Sequence, residues 1–228
     1  MSGLSGIKAG GYLPASFLDW DGRVSAVVFC CGCNFRCPWC HNSTLVLSEP
    51  GLLLEDIFSD IMRRSKFLDG VVVSGGEPAL WNGFLPLLES LKEAGIPAKA
   101  DTNGSVPSLL REVLGKKLAS HIAMDIKAPL DADSYSRLTG VPVVIERIAE
   151  SVKLIKAYAP SYEFRTTYVP ALHSTGDLLK IREDISDDAH WVVQCFKPEG
   201  CLDEEFKKKE AADAEKLREL LPGIKIRG

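Results

Sequence analysis

The chain has 228 residues, of which 46% are hydrophobic and 25% charged, with a formal net charge of -4 at pH 7. Such a length supports a substantial core, and the balance is ordinary for a globular protein. The lack of a basic excess argues against nucleic acid as a partner, no apolar run reaches the length of a membrane span, and the N-terminal residues carry no basic-then-apolar export pattern, so a cytoplasmic protein is expected.

Apolar runs then alternate with helix-like segments. Residues 24–29 read as a buried strand that ends at a cysteine-rich loop, and 53–64 have helical spacing. A short apolar strand over 71–73 stops at Ser74-Gly75-Gly76. The helix expected over 84–94 ends at Gly95, a residue suited to a left-handed cap. Residues 96–100 form a strand that runs into Asp101-Thr102-Asn103-Gly104, 109–114 a helix, and 121–126 a strand followed by Lys127. A helix over 144–157, a strand of β-branched and aromatic residues over 162–169, a helix over 175–184, a strand over 191–196 and a charged amphipathic helix over 211–221 complete the series. Six strands, each followed by a helix or a long loop, imply crossover connections and a parallel sheet. Right-handed crossovers curl such a sheet toward a barrel. The expected fold is therefore α/β, a partial (β/α)6 TIM-like barrel of parallel strands. A single domain over residues 1–228 is expected, with its core at about 20–200 and a C-terminal helix within about 203–221.

The polar signals fall at strand ends. Cysteines follow the first strand, Gly75-Gly76-Glu77 the second, and Asp101-Thr102-Asn103 the third, while Asp125 and Lys127 close the fourth. Parallel barrels build their sites from the loops at the C-terminal strand ends. Five of the seven cysteines lie between Cys30 and Cys40, which in a reducing compartment points to metal or redox work rather than disulfides. Cys33, Cys37 and Cys40 form a C-x3-C-x2-C pattern. Three thiolates around a four-iron cluster leave one iron open to bind a substrate, whereas a fully ligated cluster only carries electrons. Two other arrangements remain open on spacing alone: a zinc site that adds Cys30, and a purely electron-transferring cluster. Cys30 and Cys31, at the end of an apolar strand, read as buried or packing thiols, and Cys195 and Cys201 are too few for a second cluster. His173 and His190 have no evident partner in the sequence.

The spacing, and the longer string Gly32-Cys33-Asn34-Phe35-Arg36-Cys37-Pro38-Trp39-Cys40-His41-Asn42, resemble the radical S-adenosylmethionine superfamily and, within it, the activases of glycyl radical enzymes, most closely those of anaerobic ribonucleoside-triphosphate reductase. Ser16-Phe17-Leu18-Asp19-Trp20-Asp21-Gly22-Arg23 resembles the same group, which often has Pro where Asp21 stands, and the likeness runs unevenly over about residues 11–202.

The resemblance implies that Cys33, Cys37 and Cys40 hold a [4Fe-4S] cluster and are the catalytic set. It implies that the chain reductively cleaves S-adenosylmethionine to a 5′-deoxyadenosyl radical, which takes a hydrogen atom from the α-carbon of a glycine in the partner enzyme, with flavodoxin or ferredoxin as electron donor. Gly75, Gly76 and Glu77 would receive the amino group of the cofactor's methionine part, Lys127 its carboxylate, and Thr102, Asn103, Asp125 and Arg165 would also contact the cofactor. Asp101, Thr102 and Asp125 would hold a monovalent cation. Where several activases have a His after the sixth strand, this chain has Phe196 and Lys197. The competing reading keeps the chemistry but directs it at a small molecule, as in enzymes like 7-carboxy-7-deazaguanine synthase. A third is a non-catalytic metal or electron-transfer module.

Overall fold

Strands rich in valine and alanine set the architecture. A computed structural model describes residues 2–228. In chain order the strands are β1 (Lys8–Ala9), β2 (Gly11–Ser16), β3 (Ser25–Cys30), β4 (Leu52–Leu53), β5 (Gly70–Gly75), β6 (Ala98–Thr102), β7 (His121–Asp125), β8 (Tyr162–Tyr168), β9 (Trp191–Cys195) and β10 (Lys225–Arg227). The α-helices are α1 (Ser43–Leu47), α2 (Leu54–Arg64), α3 (Phe84–Glu93), α4 (Pro107–Gly115), α5 (Ala132–Thr139), α6 (Ile145–Tyr158), α7 (Thr175–Ile185) and α8 (Ala214–Leu220).

One eight-stranded sheet runs in the order β10-β9-β8-β7-β6-β5-β3-β2. Its neighbours are parallel except for β2, which is antiparallel to β3. The sheet does not close: β10 and β2 are its two edges. The six strands expected from the sequence are β3 and β5 to β9, and the parallel α/β architecture is as expected. The two edges are additional. Pro14 sits within β2, where an outer edge tolerates a residue without an N–H. A separate two-stranded pair joins β1 to β4.

Helix faces explain the layering. In α2, Leu54, Ile57, Phe58 and Ile61 are buried at spacings of three and four, the stripe of an amphipathic helix. Glu55 and Asp56 open that helix and Arg63 and Arg64 end it, which complements its dipole at both termini. The same spacing buries Phe84, Leu87, Leu88 and Leu91 of α3. The last helix is shorter than the expected 211–221, because the Asp213 carboxylate accepts from the Glu215 and Lys216 amides and fixes its start. Helix α5 was not expected. Asp131 caps its N-terminus and Gly140, with φ 71°, its C-terminus.

Because β3 and β5 to β9 run in parallel, their C-terminal ends share one rim, and their starts share the other. His121 begins β7 at that second rim, with Nδ1 2.9 Å from Ser161 Oγ. Burial, followed by the charge of Lys99, pushes its imidazole down to about 4. In the unfolded chain the ring takes up its proton near its ordinary value, so between those two pH values the unfolded state binds more protons. Stability present above pH 6.5 is therefore lost as pH falls toward about 4. Chemical denaturation at a series of pH values should show His121→Gln losing less stability than the native chain across that window. Equal losses would assign the acid sensitivity elsewhere.

Candidate active site

The rim at the C-terminal strand ends opens into a cleft of about 240 Å³. That lies just below the usual range for cofactor and small-molecule sites, about 300–1,000 Å³. Cys33, Cys37 and Cys40 form part of its lining, together with Gly75, Gly76, Asp101, Thr102, Asn103, Asp125, Lys127 and Arg165. These residues come from the ends of β3, β5, β6, β7 and β8 and the loops that follow.

The cysteine loop is held by its neighbours. Gly32 has φ 80°, which turns the chain out of β3. Its N–H donates to Leu45 O at 2.9 Å, and its carbonyl accepts from Glu77 N at 2.9 Å. Further along, Arg36 N donates to Thr139 O at 2.7 Å, at the end of α5. Gly76 lies so close to this loop that a Cβ built on it would fall 1.8 Å from the Gly32 carbonyl oxygen. Gly75, with φ 120°, would bring a Cβ within 2.4 Å of Cys30 O. Asn42 Nδ2 donates to Gly75 O at 2.7 Å, so the loop is tied to the glycine turn from both ends.

Thiol chemistry suits a cluster. The Cys33 sulfur accepts from Phe35 N at 3.3 Å, with Asn103 Nδ2 at 3.9 Å, and all seven cysteines are free. Burial pushes the Cys33 thiol up, and that of Cys37 up to about 12. Loading a metal on them therefore displaces protons. Cys30 is fully buried at the end of β3 and outside the cleft lining, and Cys31 packs its sulfur 3.6 Å from Ser48 Oγ. Among the described residues no group of three or more His, Cys, Asp or Glu side chains is already gathered around a single point.

Opposite the thiols stands a charged wall. Arg165 Nε donates to Asp125 Oδ1 at 2.9 Å, and its Nη1 lies 3.3 Å from Asp101 Oδ2. Lys127 Nζ is 3.1 Å from Asp125 Oδ2 and 5.0 Å from the centroid of the Trp39 ring. Burial would raise the Asp125 carboxyl, but the Arg165 guanidinium and the Lys127 ammonium outweigh it and hold it at about 2. Lys127 keeps its proton because Asp125 outweighs its burial. Ser74 Oγ donates to Asp101 Oδ2 at 2.9 Å. The two carboxylates expected to share a monovalent cation thus meet cations of the chain itself. Two buried polar atoms in the cleft lining, Trp39 Nε1 and Asp101 Oδ1, have no hydrogen-bond partner. Trp39 Nε1 is a donor suited to a ligand rich in acceptors such as S-adenosylmethionine, whereas Asp101 Oδ1 has the Lys99 ammonium 3.8 Å away.

Glu77 departs from its expected role. It is 1% exposed and does not line the cleft. Its carboxylate accepts from Thr102 Oγ1 at 2.8 Å, Asn103 N at 2.6 Å and Ala79 N at 3.1 Å. It braces the end of β6 against the glycine turn. Trp39, Ser74, Thr167 and Gln194 line the cleft without having been singled out in the sequence. Thr167 was within reach of the strand alternation, two residues beyond Arg165. Gln194 is its partner across β8 and β9, a register the sequence does not display. Phe196 is fully buried, and His41 from the cysteine loop stacks on it at 6.2 Å between ring centroids.

The contact at Gly76 makes the loop sensitive to a single methyl group. Gly76→Ala should force the cysteine loop to move, at a cost on the order of 1–3 kcal/mol. Anaerobic reconstitution followed by iron analysis should then give markedly less iron per chain than the native protein. Native iron content in the variant would show that the contact does not hold the loop.

The sequence matches the radical SAM superfamily over residues 27–174. A protein of Methanocaldococcus jannaschii with the provisional name of a glycyl-radical enzyme activating enzyme is 34% identical over 216 residues, covering 92% of this chain and 88% of the relative. The pyruvate formate-lyase-activating enzyme of Staphylococcus aureus is 35% identical over 129 residues, about half of each chain at 51%. Among solved structures, Streptococcus suis SuiB superposes with a TM-score of 0.64 at 19% identity, covering 83% of this chain and 42% of that one, a likeness of fold alone. The chain belongs to the radical S-adenosylmethionine superfamily, enzymes that work with a [4Fe-4S] cluster and S-adenosylmethionine.

Proposed function

We propose that the chain activates a glycyl radical enzyme, and that the partner is anaerobic ribonucleoside-triphosphate reductase. The observation that carries the chemistry is the cleft, with three free thiols on one side and the Asp125–Lys127–Arg165 charge cluster on another. The activase reading draws support from the archaeal relative, which matches over most of both chains. The choice of reductase rests on the resemblance of the cysteine-loop string.

When bound, the cluster and S-adenosylmethionine supply one-electron cleavage of the carbon–sulfur bond, which leaves methionine and a 5′-deoxyadenosyl group able to take a hydrogen atom. The protein contributes position and exclusion of water. Cys33, Cys37 and Cys40 would hold the cluster through their thiolates. The charged wall carries Lys127 and Arg165 beside Asp101 and Asp125, and the Lys127 ammonium at its end suits the cofactor's carboxylate. Gly75 and Gly76 allow close approach to the backbone at the mouth of β5. Between the unpaired edges β2 and β10 the sheet stays open, which supports entry of a protein loop. Flavodoxin or ferredoxin is the proposed electron donor. No described helix is long and apolar enough to cross a membrane, and a chain with seven free cysteines suits the reducing cytoplasm.

Anaerobic incubation with the reductase, dithionite and S-adenosylmethionine should produce a glycyl doublet in the electron paramagnetic resonance spectrum. Release of 5′-deoxyadenosine without that doublet would turn the assignment toward a different substrate, a small molecule among them. Cys40→Ala should lose both the reconstituted iron and 5′-deoxyadenosine release, and release at the native rate would remove Cys40 from the ligand set.

A further inference from the structure

Lys127 is placed by its backbone as well as by its charge. Its N–H donates to the Tyr135 hydroxyl at 3.1 Å, and its carbonyl accepts from His173 Nε2 at 2.8 Å. Tyr135 is fully buried within α5, and His173 is 3% exposed in the turn after β8. The His173 Nδ1 accepts from Val169 N at 3.1 Å. That bond leaves Nε2 as the N–H donor and fixes a neutral tautomer. The imidazole therefore joins the end of β8 to the residue that follows β7.

The same two elements are also tied to each other. Arg137 of α5 donates through Nη1 to Leu172 O at 2.7 Å, within the turn that carries His173. The C-terminal end of α5 accepts Arg36 N of the cysteine loop at Thr139 O. A short helix thus touches the residue after β7, the turn after β8 and the cluster loop. Nothing in the charge network requires these bonds: Asp125 and Arg165 meet whether or not the Lys127 peptide is clamped. What the clamp adds is direction. Residue 127 has left the sheet ladder, so its two peptide groups have no strand partner, and side chains supply both bonds.

From this we infer that Tyr135 and His173 are positioning residues for Lys127: by holding its peptide from both sides they aim its ammonium at the carboxylate of bound S-adenosylmethionine. The inference rests on the superfamily reading of the cleft but is independent of which partner receives the radical, because its test contains no partner protein.

The test compares two ligands on the cluster-loaded chain by equilibrium dialysis: S-adenosylmethionine, and 5′-methylthioadenosine, which keeps the adenosine and the sulfur but lacks the amino-acid portion. Tyr135→Phe and His173→Leu should each weaken S-adenosylmethionine by about tenfold, the effect of one hydrogen bond's worth of about 1.4 kcal/mol. Binding of 5′-methylthioadenosine should stay within about twofold, well inside that interval. His173→Gln keeps an N–H able to reach the Lys127 carbonyl and should recover most of the loss. In the metal-free chain, amide hydrogen exchange should show the Lys127 N–H protected in the native protein and exposed in Tyr135→Phe, a substitution that keeps the ring and its packing. Parallel weakening of both ligands would mean general damage to the cleft and overturn the inference. So would unchanged S-adenosylmethionine affinity in Tyr135→Phe, or a Lys127 amide that stays protected there. A native chain that binds neither ligand would overturn the cleft assignment and this inference with it.

Discussion

The site depends on how closely the loop after β3 packs on the turn after β5. Parallel pairing carries β3 and β5 together as far as Cys30 and Gly75. Two further bonds continue the union beyond the strands, from Gly76 N to Cys30 O at 3.1 Å and from Glu77 N to Gly32 O at 2.9 Å. Side chains are excluded at that crossing, so glycine there is a packing requirement. Glu77 then extends the tie to β6 through Thr102 and Asn103, and Asn103 returns it to the cysteine loop by donating to Asn34 Oδ1 at 2.9 Å. Three successive strand ends are thereby interlocked before any ligand arrives. Preorganisation of this kind is what a site needs if it is to hold a reactive group in one orientation.

Much of the site was legible because its chemistry is carried by residue type and spacing. Three thiols at C-x3-C-x2-C after a buried strand announce a cluster loop, and the spacing of Asp125 and Lys127 brings their side chains together even though β7 ends at Asp125. Direction was not legible. Glu77 follows two glycines at a strand end, and the sequence does not tell whether its carboxylate enters the cleft or turns beneath it. The structure turns it beneath, where burial pushes the carboxyl up to about 7 even though two backbone amides and a hydroxyl donate to it. Gln194 shows the opposite failure. Its place beside Thr167 depends on the register of β8 with β9, a tertiary fact with no local signal.

The fold divides the same way. Strands β3 and β5 are apolar runs buried on both faces, the pattern that parallel sheets require, whereas β6 and β8 place charged residues at alternate positions. The elements that escaped are short, polar or at an edge. Strand β10 has three residues, two of them charged. Helix α5 has eight residues of mixed polarity, and its buried Tyr135, Leu138 and Thr139 span barely one turn. A window long enough to detect helical periodicity is longer than the helix itself. Yet α5 bonds to the cysteine loop, the residue after β7 and the turn after β8. Short connecting helices draw their stability from such contacts rather than from propensity, which is why composition conceals them.

A file of alternating charges occupies the space inside the curved sheet. At one end of the file, Arg227 of β10 contacts Asp21 and lies 2.8 Å from Glu163. Lys99 stands 3.5 Å from Glu163 and 3.8 Å from Asp101. Arg165 links Asp101 to Asp125, and Lys127 ends the file in the cleft. Signs alternate throughout, so each interior carboxylate has a cation on both sides. An isolated pair in such a place does little more than offset its desolvation, but removal of one member strands its neighbour as a buried unpaired charge. The file is therefore held together by the cost of breaking it. That cost constrains the cleft directly: Arg165 and Lys127 belong to a file of charges that reaches to Arg227, so the edge strand β10, remote in sequence from the cysteine loop, belongs to the same electrostatic unit as the site.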